Sequence, residues 1–433
     1  MGTTGKPVRR RTRDTYREVI ALTGPLLPCV SFLGRLPTAT IQFGSVLLVA
    51  RTSGSLSAAG LTGGALALGQ VACGPVVGRL ADRHGQRRVV LAFSLANAVA
   101  VTVLVAGALT GLPTAVLALL GAAAGGTVPL VGPLARARLV ALARRSGAPE
   151  ATVGVALSFE STLDEISFVL GPALVGIASV LAHPAYAMGG AALLVAVCGS
   201  AFALHPTALA VAPASAGRDP ARARARAALT PMPNCVHSLR ASLALQGAMF
   251  GACQAGITAL TARLGQENQA GLVYAAMGVM SAAAGLGMAC VPARLGLPPR
   301  WRLATAAALV LSLPLLRTQS LAGLYAVVTV LGVAYAPHLI TVFGLIERAV
   351  PPTRLAEAMA VATSALVGGQ ALSVAVTGRL TDAYGPRAAF AVASTAAALT
   401  FVIALTARPT TYSGRAKNAS RARVQDERAR TNP

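Results

Sequence analysis

Twelve long apolar stretches, divided by short polar or basic segments, constrain this chain more than any other feature of its 433 residues. They run over approximately 22–50, 57–78, 89–110, 112–134, 151–177 and 185–205, then over 238–260, 270–292, 302–318, 320–346, 356–380 and 386–407. A helix needs about 20 mainly apolar residues to cross about 30 Å of hydrocarbon, where each backbone amide must be satisfied within its own helix. The stretches therefore predict an all-α integral membrane protein of twelve transmembrane helices in two six-helix bundles, the ninth helix being the shortest. With 55% hydrophobic and 12% charged residues, the chain has too few polar side chains to solvate that much helix.

Charge sets the topology. Lys and Arg number 37 against 14 Asp and Glu, and such an excess could serve a polyanion. The basic residues nevertheless sit in short segments between apolar runs, and aromatic residues make up only 4%. Anionic lipid headgroups are the expected counterparts, not nucleic acid. With both termini cytoplasmic, 31 of the 37 basic residues fall on the cytoplasmic side. Arg51, Arg263, Arg317, Arg379 and Arg387 fall outside, and Arg35 lies within the first run. An odd number of spans would invert every later loop and destroy this agreement with the positive-inside rule.

The expected organisation is a cytoplasmic N-terminal segment (1–21), a first bundle (22–205), a cytoplasmic linker rich in Ala, Pro and Arg (206–237), a second bundle (238–407) and a polar basic tail (408–433). The halves echo one another. G-P-A-L-V-G-I-A-S-V-L-A-H-P-A-Y-A from Gly171, read as the turn between spans five and six, parallels G-Q-A-L-S-V-A-V-T-G-R-L-T-D-A-Y-G-P from Gly369, read as the turn between eleven and twelve. That favours a duplicated architecture around a central cavity. The Arg-over-Lys and Ala-rich usage suggests a bacterial cytoplasmic membrane.

Several classes are excluded. No G-x-x-x-x-G-K-[ST] phosphate loop is present, so ATP does not drive the chain directly. Five dispersed histidines form no H-E-x-x-H or comparable hydrolytic set, which argues against an enzyme. Six scattered cysteines lack C-x-x-C spacing, and neither a zinc site nor a disulfide framework is indicated. No cofactor or metal is expected.

Between spans two and three the chain reads G-R-L-A-D-R-H-G-Q-R-R from Gly78 to Arg88. Gly78 permits close helix approach, Gly85 a tight turn, and Asp82 can pair with a helix N-terminus or a nearby Arg. The stretch closely resembles the signature of the major facilitator superfamily, with Gln86 where a basic residue is usual. The resemblance implies a twelve-helix secondary transporter of drug/proton antiporter type. It also implies that Asp82 holds the two halves together on the cytoplasmic side, with Arg136 or Arg138 as expected partners. Arg83, Arg87 and Arg88 serve that gate or simply enforce topology. A second match, F-V-L-G-P-A-L-V-G from Phe168, resembles the fifth-helix signature associated with exporters, and its Gly171, Pro172 and Gly176 would let that helix bend.

Four ionisable residues fall deep within predicted spans: Arg35 in the first, and Glu160, Asp164 and Glu165 in the fifth. Charges in hydrocarbon should face a partner or a cavity. Arg35 and Asp164 lie at equal depth, so Arg35 is expected to pair with Asp164 or Glu165. Glu160, one turn away, would share their field and make one proton exchangeable. A static buried ion network is the equal alternative. Gln246, Gln254 and His338 are candidates for the second half of the cavity. The sequence thus predicts proton- or cation-coupled export of a small amphipathic or drug-like substrate by a monomer, with uptake of a sugar or organic acid as the alternative and a non-transporting sensor less favoured.

Overall fold

The computed structural model describes residues 17, 19–21, 23–148, 150–210, 232–266, 269–292, 295–351 and 354–408. Most of the expected N-terminal segment, linker and tail therefore lies outside the described residues. Twelve helical passes follow in order: α1 (Leu26–Ser53), α2 (Leu56–His84), α3 (Gln86–Leu109), α4 in two pieces (Thr114–Gly126 and Val131–Arg145), α5 (Glu150–Leu181) and α6 (Pro184–Leu194, extended to Leu204). The second half holds α7 (Asn234–Arg263), α8 (Ala270–Gly287), α9 (Leu297–Ser312), α10 (Leu321–Ala349), α11 (Leu355–Tyr384) and α12 (Pro386–Thr406). Eleven passes are long and apolar enough to span a bilayer by length and composition alone. The exception is α9, with 16 residues, which a short 3-10 turn over Leu313–Arg317 lengthens.

The duplication is visible in the packing. Within the first half α1 packs on α5 and α6, α2 on α4, and α3 on α4 and α6. The second half repeats each pairing: α7 on α11 and α12, α8 on α10, and α9 on α10 and α12. Between the halves, α2 meets α11 and α5 meets α8, again as equivalent pairs. The echoing stretches from Gly171 and Gly369 lie mostly within helices α5 and α11, not in turns as the sequence suggested. A shorter likeness joins two helices that are not equivalent in the duplication, α2 and α11. Gly78–Gly85 (G-R-L-A-D-R-H-G) and Gly378–Gly385 (G-R-L-T-D-A-Y-G) each close a helix on a single left-handed glycine, Gly85 at φ 86° and Gly385 at φ 77°.

The cores show which end is shut. One buried cluster unites both halves around the α2–α3 turn, from Val77 and Leu134 through Trp301 and Phe343 to Ala360. Toward the opposite end the core divides: Ile41, Leu48 and Leu104 belong to the first half alone, and Ile257, Leu324 and Phe390 to the second. The molecule is closed at the end carrying Asp82 and parted at the other. Its outer faces leave large side chains such as Leu68, Leu119, Leu303 and Leu372 uncovered, as lipid contact requires.

Helix α4 departs most from expectation. The sequence ended this span at 134; the helix instead breaks at Thr127–Leu130 and resumes to Arg145. Pro129 and Pro133 account for the break, since neither has an N–H to donate and each ring crowds the carbonyl four residues back. Leu130 bridges the gap in the left-handed region at φ 50°. Asn97 of α3 donates to the Ala124 carbonyl at 2.7 Å and to Thr127 Oγ at 3.2 Å, compensating part of the lost ladder.

Candidate functional site

The break in α4 places two arginines inside the membrane that the sequence had assigned to a cytoplasmic loop. Arg136 and Arg138 are almost fully buried. Neither is a partner of Asp82, which corrects that expectation. Arg136 Nη2 pairs with Asp164 Oδ2, and its guanidinium lies 4.2 Å from the centre of the Phe343 ring on α10. Arg138 donates to Gln86 Oε1 at 3.0 Å and to the Phe202 carbonyl at 2.8 Å, and stacks on the Phe202 ring. Gln86 also donates to the Leu134 carbonyl at 3.2 Å, and a basic residue there would face Arg138. At the end of α6, outside the span, burial and then the Arg138 charge hold the His205 imidazole below its ordinary range.

Arg35, buried in α1, lies opposite α5 at the depth the sequence indicated. Its Nη1 donates to Asp164 Oδ1 at 2.8 Å and to the Glu160 carbonyl at 2.9 Å, and Nη2 pairs with Glu160 Oε2. The side chain of Glu165 lies outside the described residues. The result is a chain of alternating charge, Glu160–Arg35–Asp164–Arg136, drawn from α5, α1 and α4. Two arginines serve these two carboxylates, where the sequence reading supplied one. The carboxylates differ in access: the Glu160 side chain is 5% exposed and that of Asp164 18%.

Asp164 lines a cleft between the halves, about 630 Å³ including the part open to solvent, with Arg136 and Phe168 on one wall and Gln246, Phe250, Phe343 and Gln370 on the other. A neighbouring cavity of about 470 Å³ shares Asp164, Phe168, Thr363 and Val367, and extends to Arg35, Gln70 and Gly132. Gln246 faces the first cavity and donates to the Tyr335 carbonyl at 2.9 Å. Gln254 and His338 do not line either cavity. His338 instead bonds Ser242 Oγ at 2.8 Å, which also accepts from Trp301 Nε1 at 3.2 Å. Gln70, Thr363 and Gln370 were missed by sequence reasoning. Uncharged polar residues in a span have no signal that separates a cavity wall from a helix contact.

At the closed end Asp82 Oδ2 accepts the Glu357 amide at 2.8 Å and Oδ1 the Ala356 amide at 3.3 Å, so a carboxylate of the first half caps the N-terminus of α11. Arg79 pairs with Glu357 at 2.8 Å, and Arg144 of α4 pairs with Glu347 of α10. Gly78 allows this approach, because a Cβ there would lie 2.6 Å from the Ala360 Cβ and 2.9 Å from the Ala356 carbonyl oxygen. Arg83, Arg87 and Arg88 are exposed. Gly171 sits against Ala39 and Thr40 where α5 crosses α1, and Pro172 follows within the same helix. Gly176 faces open space.

Two repeated helical bundles around a central cavity define a secondary membrane transporter. The chain belongs to the major facilitator superfamily, whose family model matches residues 27–293 and 265–431. Solved structures with the same fold include the human organic anion transporter MFSD10, 18% identical, with a TM-score of 0.62 and coverage of 92% of this chain and 100% of that one. A bacterial homologue of the iron transporter ferroportin, in an outward-facing state, is 17% identical, with a TM-score of 0.67 and coverage of 88% and 98%. The fucose:proton symporter FucP of E. coli is 15% identical, with a TM-score of 0.62 and coverage of 89% and 98%. No curated protein matches the sequence.

Proposed function

We propose that the chain is a proton-coupled transporter of small amphipathic compounds, working as a monomer by alternating access, with Asp164 as the group that exchanges the proton. The observation that carries this reading is the position of Asp164: it ends the buried ion chain and is also the carboxylate that lines both central cavities. Glu160, behind Arg35, is the fixed anion. Positive-inside charge places the Asp82 end and both termini in the cytoplasm, with the lysines and arginines of that face against anionic headgroups. The conformation is then outward-facing, and Asp82, Arg79 and Arg144 form the cytoplasmic gate.

The walls support the amphipathic substrate. Phe168, Phe250, Leu339, Phe343 and Leu366 make up much of the lining beside Gln246, Thr363 and Gln370, and no indole is among the lining residues. On that ground export of drug-like compounds is the first reading. The export-associated Gly171–Pro172 contributes little to it, since Gly171 is accounted for by packing on α1. The second reading, uptake of an organic acid, is favoured by one observation: both cavity-facing cations, Arg35 and Arg136, converge on a single carboxylate.

Proteoliposome assays on Asp164→Asn test the coupling. Substrate counterflow should persist while acceleration by an imposed proton gradient disappears; Glu160→Gln should retain it. Wild-type response to the gradient in Asp164→Asn would remove Asp164 from the coupling role.

A further inference from the structure

We propose that the break in α4 forms a carboxylate-binding site in which Asp164 is the resident anion, exchanged for the carboxylate of an amphipathic substrate when Asp164 takes up a proton. This rests on the proton-coupled reading above and names the substrate class it leaves open.

Three independent features meet at this point. Arg35 Nη1 and Arg136 Nη2 hold the two oxygens of one carboxylate from opposite sides. The second piece of α4 begins at Val131, so its first amides have no carbonyl a turn back, and the end carries partial positive charge. Asp164 lies against that end: a Cβ on Gly132 would stand 2.8 Å from Asp164 Oδ1. The third feature points to a ligand. Arg136 is 1% exposed, yet its Nε has no hydrogen-bond partner, an unanswered donor on a buried cation beside the cavity.

Charge then dictates the exchange. With Asp164 ionised, Arg35 and Arg136 pair with Glu160 and Asp164, while Arg138, also within reach of the Glu160 charge, is held by Gln86 and the Phe202 carbonyl in either state. When Asp164 becomes a neutral carboxylic acid it loses its hold on both guanidiniums, and one positive charge is left over in a low-dielectric site. A substrate carboxylate restores neutrality between the same two arginines and gives Arg136 Nε its acceptor, while its apolar tail lies along Phe168, Phe250 and Phe343. Arg35, Arg136 and Glu160 are the charged groups around Asp164 among the described residues; His338 of α10 is held by Ser242. Proton and carboxylate therefore bind together, which makes carriage of a monocarboxylate an electroneutral symport and takes the uptake reading above in preference to export. A cationic amphiphile would meet two arginines and has only the neutral acceptors Gln70 Oε1 and Gln246 Oε1 to set against its charge.

The test uses three probes with one tail: 4-phenylbutyrate, 4-phenylbutylamine and 4-phenylbutanamide. With the purified full-length chain, 4-phenylbutyrate should raise the unfolding temperature at pH 5.5 with at least tenfold higher apparent affinity than at pH 8, while the amine and the amide have no effect. In Asp164→Asn its affinity should become equal at the two pH values. Arg136→Lys should keep the fold and weaken 4-phenylbutyrate at least tenfold. Stabilisation by the amine and not the acid would overturn the inference while leaving proton coupling intact, as would acid binding that ignores pH in the wild-type chain. Absence of any proton-gradient response in the wild-type chain, for every solute, would mark failure of the underlying reading instead.

Discussion

Arg35→Met is expected to destabilise the folded transporter by about 3–5 kcal/mol, the typical cost of breaking a buried ion pair by removing one partner. Arg35 is 4% exposed and serves Glu160 and Asp164 together, so its removal strands a carboxylate that water cannot reach. Asp164 retains Arg136; Glu160 retains no ion pair among the described contacts. The loss should therefore trace to Glu160. Thermal unfolding in detergent checks this: Arg35→Met should unfold far below the wild-type chain, and Arg35→Met with Glu160→Met should recover most of the difference. A double variant no more stable than the single one would mean that Arg35 stabilises the fold through contacts other than its charge.

The second large effect belongs to the closed end. Gly78→Val is expected to lower transport more than tenfold by forcing α2 and α11 apart. Its new atoms would meet the Ala356 carbonyl oxygen at 2.9 Å and the Glu357 Cα at 3.0 Å, backbone that cannot turn aside. Separation would also withdraw Asp82 from the two α11 amides it caps. Gly176→Val is the control, since a Cβ there meets nothing within 4 Å. Transport close to wild type in both variants would show that the α2–α11 contact does not govern the cycle.

The architecture was legible because hydrocarbon allows so few solutions: length and apolarity give twelve helices. Arg35 facing Asp164 could be read for the same reason, since charges at one depth in lipid must find each other. Arg136 and Arg138 were misplaced because a basic residue following an apolar run ordinarily marks the water boundary. The signal that contradicted this was Pro129 and Pro133, four residues apart, which end one helix and begin another inside the membrane. Gln86 could not be given a partner because Arg138 had been put in a cytoplasmic loop. Gln70, Thr363 and Gln370 had no readable sign at all, because which helix face lines the cavity depends on how the two halves meet.

Alternating access requires the two bundles to rock about the shared cavity, which is closed at the Asp82 end. Spin-label distance measurements on paired cysteines test it most directly, with one pair at Ser53 and Arg263 on the parted end and one at His84 and Pro299 on the closed end. On adding protons and a transported solute, the first distance should shorten as the second lengthens. A transport-active protein in which both distances lengthened together, or neither changed, would contradict the account.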